Sequence, residues 1–237
     1  ARCRRTDEGN VDPNRNVRDF AAPLPTNKAY AELHHAICPA DWSGAGRDHA
    51  ETEITAFVAE HGVEGLTRNV LRGQYAYADG LFYGGTERIW CVENLSGIIQ
   101  AHAKNAEHVA VLDLHTGLGP SGYGDAMRMH EIARDGADWE LIGGLVVDLI
   151  DEVCPPPRGL KVLLEFGTVD FDEVLEAQRA DNWLMRQGDP DTSEGRRIKA
   201  ALKNALFVDD PDWCRKLYDQ TLTITANLLA ELANYEK

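Results

Sequence analysis

HVAVLDLH, residues 108–115, is a short apolar run that ends on a histidine and is suited to a buried strand. A second run, LKVLLEFGT at residues 160–168, carries Glu165 just before a phenylalanine and a glycine. Short apolar runs next to glycine turns are typical of buried strands. Helical patterns flank both runs, so the sequence predicts an α/β domain built in layers.

Several amphipathic helices are predicted around these strands. The segment KAYAELHHAI, residues 28–37, follows a capping Thr26 or Asn27 and places Tyr30, Leu33 and Ile37 on one face. Four other helical segments are predicted before a C-terminal helix. They are HAETEITAFVAEHG (residues 49–62) and residues 89–105, 170–188 and 192–207. The C-terminal helix carries one apolar stripe, made of Leu217, Thr221, Ile224, Leu228 and Leu232.

Two other segments have no clear helical or strand period. Residues 73–85, GQYAYADGLFYGG, are rich in glycine and aromatic side chains, which predicts an ordered irregular loop. Gln74, Tyr75 and Tyr83 of this loop either pack it against the core or line a cleft. The apolar stretch 139–153 is compatible with either a helix or a strand.

Length and composition indicate one globular domain over residues 1–237, with 43% hydrophobic side chains. The formal net charge of −15 disfavours nucleic acid and anionic membranes as partners. Since no apolar run of membrane-spanning length and no export leader is found, a cytoplasmic protein is expected. The five cysteines are scattered without a C-x-x-C pair, which indicates thiols rather than disulfides or a thiolate zinc site.

Polar residues that could carry chemistry follow the two predicted strands. His115 is either a zinc-type ligand or a strand-end histidine bonded to a neighbouring carbonyl. Glu165 lies in an apolar strand, so its carboxylate needs a partner, either in a structural salt bridge or as a general base. Near the N-terminus, Asn14 and Arg15 form either a receiver for a substrate carboxylate or an ordinary surface loop.

In combination these motifs resemble a known superfamily. RRTDEGNVDPNRN, DLHTG and LLEFGT, in this order, resemble the zinc carboxypeptidases. GQYAYADGLFYGG, DLHTGLGPSGYG and RADNWL resemble an uncharacterised bacterial branch of that superfamily, which is known only as a domain of unknown function. The resemblance covers nearly all of the chain. It implies one catalytic domain with a mixed, mostly parallel sheet flanked by helices.

The resemblance also implies roles for particular residues. His115 matches a zinc ligand, and Glu165 matches the general base and acid. Arg5 matches the arginine that polarises the scissile carbonyl, while Asn14 and Arg15 match the pair that binds the terminal carboxylate of the substrate. Zinc is the cofactor that the resemblance implies, and all these side chains are expected to converge on one cavity.

The other two zinc ligands of the superfamily come from an H-x-x-E motif that precedes the asparagine-arginine pair. In this chain the H-x-x-E motif, His61 to Glu64 in EHGVEG, follows that pair. Its helical context and Gly62, which suits a left-handed cap, predict an ordinary helix end instead. Because an initiating methionine is also missing, we expect the chain to be N-terminally truncated. It would then lack two zinc ligands and its first strands, a loss that can leave it metal-free, inactive and with an exposed apolar edge.

The function that follows is a zinc-dependent hydrolase that cleaves an amide bond next to a free carboxylate. One alternative is an N-acyl amino acid deacylase with the same fold. The other is a catalytically silent module that binds carboxylates. The expected partner is therefore a small peptide or an acyl amino acid.

Overall fold

The computed structural model of this protein describes residues 4–129, 143–156 and 158–234. Contacts divide the chain into two compact units. The first comprises Ala1–Ile89, Leu141–Leu145 and Leu175–Leu202, and the second comprises Trp90–Glu140, Val146–Val174 and Lys203–Lys237. The single catalytic domain over residues 1–237 stays a prediction.

The secondary structure of the described residues is mainly helical. The α-helices are α1 (Lys28–Ile37), α2 (Ala45–Leu71), α3 (Trp90–Ala103), α4 (Phe171–Gln187), α5 (Ser193–Leu206) and α6 (Pro211–Asn234). Short 3-10 helices cover Pro13–Arg15 and Val146–Glu152. The strands are β1 (Val109–Ser121), β2 (Gly124–Arg128) and β3 (Gly159–Gly167). The prediction of an α/β protein is therefore confirmed.

Helix α1 lies in the first unit and has the predicted cap and face. Asn27 Oδ1 accepts a hydrogen bond from the backbone N–H of Tyr30 at 3.0 Å, which satisfies one of the donors that a helix start leaves unpaired. Tyr30, Leu33 and Ile37 are buried, as their spacing predicts. The capping side chain is thus Asn27 rather than Thr26.

Helix α2 differs from the prediction because it does not end at Gly62. Gly62 has φ +75° and ψ 165°, a conformation open to glycine but not to other residues, so it interrupts the helix. The chain then returns to helical geometry as far as Leu71. The helix resumes after Gly62 because Leu66 and Val70, which lie one helical turn apart, are both buried and stabilise this segment.

The second unit is built on a three-stranded sheet in the order β1-β3-β2. Strand β1 runs parallel to β3, and β2 runs antiparallel to it. Among the described residues the sheet is therefore mixed, with one pair of each kind rather than mostly parallel pairs. Strand β3 is buried along almost its whole length, as its continuous apolar sequence predicts.

One face of this sheet packs against helix α6. Leu160 and Val162 of β3 form a core cluster with Leu228 of α6. The partly buried residues around that cluster are Ala110, Leu112, Ile224 and Leu232. The predicted stripe on the C-terminal helix is thus confirmed at three of its positions.

The strands extend beyond the predicted runs. Strand β1 continues through the glycines after His115 to Ser121, and its pairing with β3 shifts register between Gly117 and Ser121. Strand β2 had not been predicted, because GDAMR has no strand-like alternation. Of the ambiguous stretch 139–153, residues 139–142 lie outside the described residues, and the 3-10 helix Val146–Glu152 occupies much of the rest.

Gly167 ends β3 where two backbone segments meet, and its lack of a side chain is required there. A Cβ at Gly167 would lie 2.1 Å from Gly119 O and 2.3 Å from Pro120 O. We expect Gly167→Ala to lower the free energy of unfolding by at least about 1–3 kcal/mol, because the backbone at Gly119 and Pro120 must move to make room for the Cβ. Urea denaturation measures this, and Gly97→Ala on α3, where a Cβ meets no atom within 4 Å, is the control expected to be neutral or stabilising.

Two predictions about the whole chain can be compared with the structure. None of the four described cysteines, Cys38, Cys91, Cys154 and Cys214, forms a disulfide. Among the described residues, no helix combines the length and apolar character that crossing a bilayer requires. A cytoplasmic location stays a prediction.

Candidate active site

His115 and Glu165 come together on two neighbouring strands. Glu165 lies near the carboxyl end of β3, whereas His115 lies midway along β1, because β1 does not end at His115 as expected but continues to Ser121. They are register partners on β1 and β3, which run parallel, so their side chains leave the same face of the sheet. His115 Nδ1 lies 3.7 Å from Glu165 Oε2, and both side chains are mostly buried. The parallel pairing therefore produces an imidazole-carboxylate pair from residues that lie 50 positions apart in the sequence.

Asp113 is a third member of this site, and sequence reasoning had missed it. Its Oδ2 lies 3.0 Å from His115 Nε2 and accepts no well-directed hydrogen bond, although it is buried. Asp113 precedes His115 by two residues, so the two-residue period of a strand places both on one face. That period was the signal available in the sequence.

The backbone fixes the orientation of Glu165. The N–H of Leu118 donates to Glu165 Oε1 at 3.0 Å, while Oε2 faces the imidazole. This contact depends on β1 continuing past His115. The sequence predicted a glycine turn there, so the contact with Leu118 was not predicted. Glu165 thus has the partner that its buried position requires, and one of its oxygens remains directed at His115.

His115 is suited to supply one ligand of a metal centre. A ligating histidine normally binds the metal through one ring nitrogen and a carboxylate through the other, and Asp113 could be that carboxylate. Among the described residues, however, no group of three or more His, Cys, Asp or Glu side chains is arranged to hold a metal ion. In the described residues the site therefore lacks the three protein ligands that a catalytic zinc site has.

The two side chains of the H-x-x-E motif in helix α2 contact other residues of that helix. The ring of His61 lies 4.3 Å from the ring of Phe57, measured between centroids. Glu64 instead approaches Arg68 at 3.4 Å, one turn along the helix. Both side chains are largely exposed, which agrees with an ordinary helical role.

In the first unit, Arg5 and Arg15 surround the buried carboxylate of Asp12. Arg5 Nε donates to Asp12 Oδ2 at 2.9 Å. Both guanidinium groups also face the ring of Phe82, at 4.7 Å for Arg5 and 5.4 Å for Arg15. Burial alone would raise the pKa of Asp12, but the two arginine charges and hydrogen bonds from Arg5 and the Asn14 amide lower it below its ordinary value.

Arg5 and Arg15 differ in accessibility. Arg15 is 3% exposed, and its guanidinium donates to the carbonyl oxygens of Asn14 and Leu71. Burial lowers the pKa of Arg15 to about 10, against the raising effect of Asp12. Arg5 keeps 32% of its side chain exposed, so Arg5 is the more accessible cation of the pair.

The predicted roles of Arg5, Asn14 and Arg15 in binding a substrate carboxylate stay predictions. Asn14 lies in the 3-10 helix Pro13–Arg15, which begins at Asp12, because Asp12 Oδ1 accepts the N–H of Asn14 at 3.0 Å. The structure places these three residues in the first unit, whereas His115 and Glu165 lie in the second. Their convergence on one cavity also stays a prediction.

The loop of residues 73–85 packs mainly inward. Gln74 is 2% exposed, and its amide nitrogen donates to Tyr77 O while its oxygen accepts the N–H groups of Ala76 and Tyr77. Tyr83 is also buried. Tyr75 donates its hydroxyl to Arg15 O at 2.6 Å. For Gln74 and Tyr83, the packing interpretation is thus confirmed over the cleft-lining one.

Comparison with known proteins gives one family. The family described as "Protein of unknown function (DUF2817)" matches residues 1–141 and 131–220. No curated protein and no solved structure matches the chain.

Proposed function

Because this chain belongs to the DUF2817 family, a domain family of unknown function, we propose its activity from the geometry of the site: it hydrolyses an amide bond next to a free carboxylate. The observation that carries the proposal is the contact of 3.7 Å between His115 Nδ1 and Glu165 Oε2. A carboxylate held at one oxygen and directed at an imidazole by the other is suited to moving protons.

Glu165 is the general base in this proposal. Its Oε2 accepts a proton from a water molecule, whose oxygen attacks the carbonyl carbon of the substrate amide. The carbon–nitrogen bond then breaks, and Glu165 returns the proton to the leaving amine. Leu118 N–H holds the other carboxylate oxygen, so the base does not need to reorient between the two transfers.

Zinc is the proposed cofactor, with His115 as one ligand. When bound at such a site, zinc makes water more acidic and polarises a carbonyl oxygen. The carboxylate of Asp113 lies 3.0 Å from His115 Nε2 and would fix the imidazole if the ring turned its N–H toward that oxygen. The remaining ligands are not supplied by an arranged group among the described residues.

A carboxylate-binding module without catalysis is the second candidate. It is favoured by the first unit, where Asp12 and Phe82 hold the guanidinium of Arg5 while about a third of the side chain stays exposed. An arginine fixed in this way can receive a carboxylate through two parallel hydrogen bonds. This candidate predicts binding of carboxylates without a metal and without turnover.

Metal dependence distinguishes the two candidates. We expect the chain to release amino acids from C-terminal peptides or from N-acyl amino acids, to lose most of this activity after treatment with a chelator, and to regain it with zinc. Peptides and acyl amino acids assayed side by side, with liquid chromatography of the products, also separate peptidase from deacylase. Carboxylate binding by calorimetry that survives chelation, with no product from any substrate, would support the binding module instead.

A further inference from the structure

Strand β2 places Asp125 directly beside the proposed general base. Glu165 is the register partner of His115 on β1 and of Asp125 on β2. Directly opposed residues of a sheet project from the same face, and in an antiparallel pair their Cβ atoms lie about 4.5–5.5 Å apart. The three residues therefore form one row across the sheet, with His115 on one side of Glu165 and Asp125 on the other.

Asp125 carries a charge that the described part of the chain does not neutralise. Asp125 is exposed, and no hydrogen bond or ion pair joins its carboxylate to another described residue. The basic side chain on this face of β3 is Lys161, four residues before Glu165 and about 13 Å away along the strand. Lys161 is held by Asp148 at 2.9 Å and by Asp151 at 2.7 Å, so its charge is already matched.

The carboxylate of Asp125 is left to bind a ligand. Glu165 is already engaged, since its Oε1 accepts the N–H of Leu118 and its Oε2 faces the imidazole of His115. Asp125 and Glu165 occupy directly opposed positions, where like charges destabilise a sheet. A cationic ligand fits this position best, because its charge removes the repulsion and its N–H groups donate charge-assisted hydrogen bonds.

We propose that Asp125 selects the substrate by binding an ammonium group close to the scissile amide. This inference rests on the proposed hydrolase activity of the same row. A substrate whose scissile amide lies at Glu165 has its neighbouring groups within about one strand spacing, roughly 4.7–4.9 Å, of Asp125. The ammonium group belongs either to a free N-terminus on the acyl side of the amide or to a basic side chain of the released amino acid.

Two pairs of substrates test this selection, because the members of each pair differ in one ammonium group. Alanyl-phenylalanine and its N-acetyl derivative test the N-terminal source, while Nα-acetyl-lysine and Nα-acetyl-norleucine test the side-chain source. We expect the native chain to prefer the cationic member of at least one pair. Asp125→Asn should lower kcat/KM for that member about 10- to 100-fold, the effect of losing one charge-assisted hydrogen bond, and should change it less than about twofold for the neutral member.

Two further variants serve as controls. Asp209→Asn makes the same chemical change in the second unit, at a side chain that is 85% exposed, and should leave the rates on both members unchanged. Asp125→Glu keeps the negative charge and should retain the preference for the cationic member. Circular dichroism spectra establish that each variant is folded.

Three results would overturn the inference. Equal rates of the native chain on both members, or equal losses on both in Asp125→Asn, would mean that Asp125 does not select the substrate, and the hydrolase proposal would stand. A lower zinc affinity of metal-stripped Asp125→Asn, measured by calorimetry, would make Asp125 a metal ligand instead. No turnover of any of the four substrates by the native chain would remove the hydrolase proposal, and this inference with it.

Discussion

Replacing Glu165 by glutamine is expected to lower kcat about 10²- to 10⁴-fold, the range by which a positioned general base contributes to a reaction. Glutamine keeps an oxygen that can accept the N–H of Leu118, which donates to Glu165 Oε1 at 3.0 Å in the native chain. The fold is therefore expected to persist while the proton acceptor is lost. Initial rates on the best substrate of the panel, together with circular dichroism spectra, measure both effects.

The matched control is Glu107→Gln, which makes the same chemical change at an exposed position before β1. Its kcat should equal that of the native chain, since Glu107 lies outside the pair formed by His115 and Glu165. A Glu165→Gln variant that keeps its fold and loses less than about threefold in kcat would exclude Glu165 as the general base. The hydrolase proposal would then lose the residue on which it depends.

Replacing Asp12 by alanine should cost about 3–5 kcal/mol in the free energy of unfolding, the range seen when one partner of a buried ion pair is removed. Asp12 is 1% exposed and Arg15 is 3% exposed, so the variant leaves the buried charge of Arg15 without the favourable Coulomb interaction with Asp12. Arg5, in contrast, can turn toward water. Chemical denaturation followed by tryptophan fluorescence measures the loss.

Glu8→Ala, a change at an exposed carboxylate four residues earlier, is the control and should shift the free energy of unfolding by no more than about 0.5 kcal/mol. A loss below about 1 kcal/mol for Asp12→Ala would mean that Arg15 is hydrated, or paired elsewhere, once Asp12 is gone.

The same carboxylate predicts a pH dependence of stability. The folded-state pKa of Asp12 is lowered from its ordinary value of 3.8, so the folded chain binds this proton less readily than the unfolded chain does. The stabilisation from Asp12 is then complete above pH 3.8 and is lost as the pH falls through the folded-state pKa. In the Asp12→Ala variant, the free energy of unfolding should therefore fall less between neutral and acidic pH than in the native chain. Chemical denaturation curves recorded over that pH range measure the difference.

Helices and strands with a strong pattern could be predicted from the sequence. The apolar runs of β1 and β3 identified two strands; β3 is buried as its run predicts, whereas β1 is only partly buried and is exposed at Leu114. The face of α1 followed from a period of 3.6 residues, and a cap at Thr26 or Asn27 followed from local hydrogen bonding, whereas the structure selected Asn27. Strand β2 could not be predicted, since GDAMR forms a strand only through pairing with β3.

The residue types of the candidate site could be predicted from the sequence, because a histidine and a glutamate within or next to apolar runs need partners. The identity of those partners depends on strand pairing in the folded chain. The parallel register sets His115 against Glu165, and the continuation of β1 brings the N–H of Leu118 to the carboxylate. Local preference acts over a few residues along the chain, whereas strand pairing joins residues 50 positions apart, so these contacts exist only in the folded sheet.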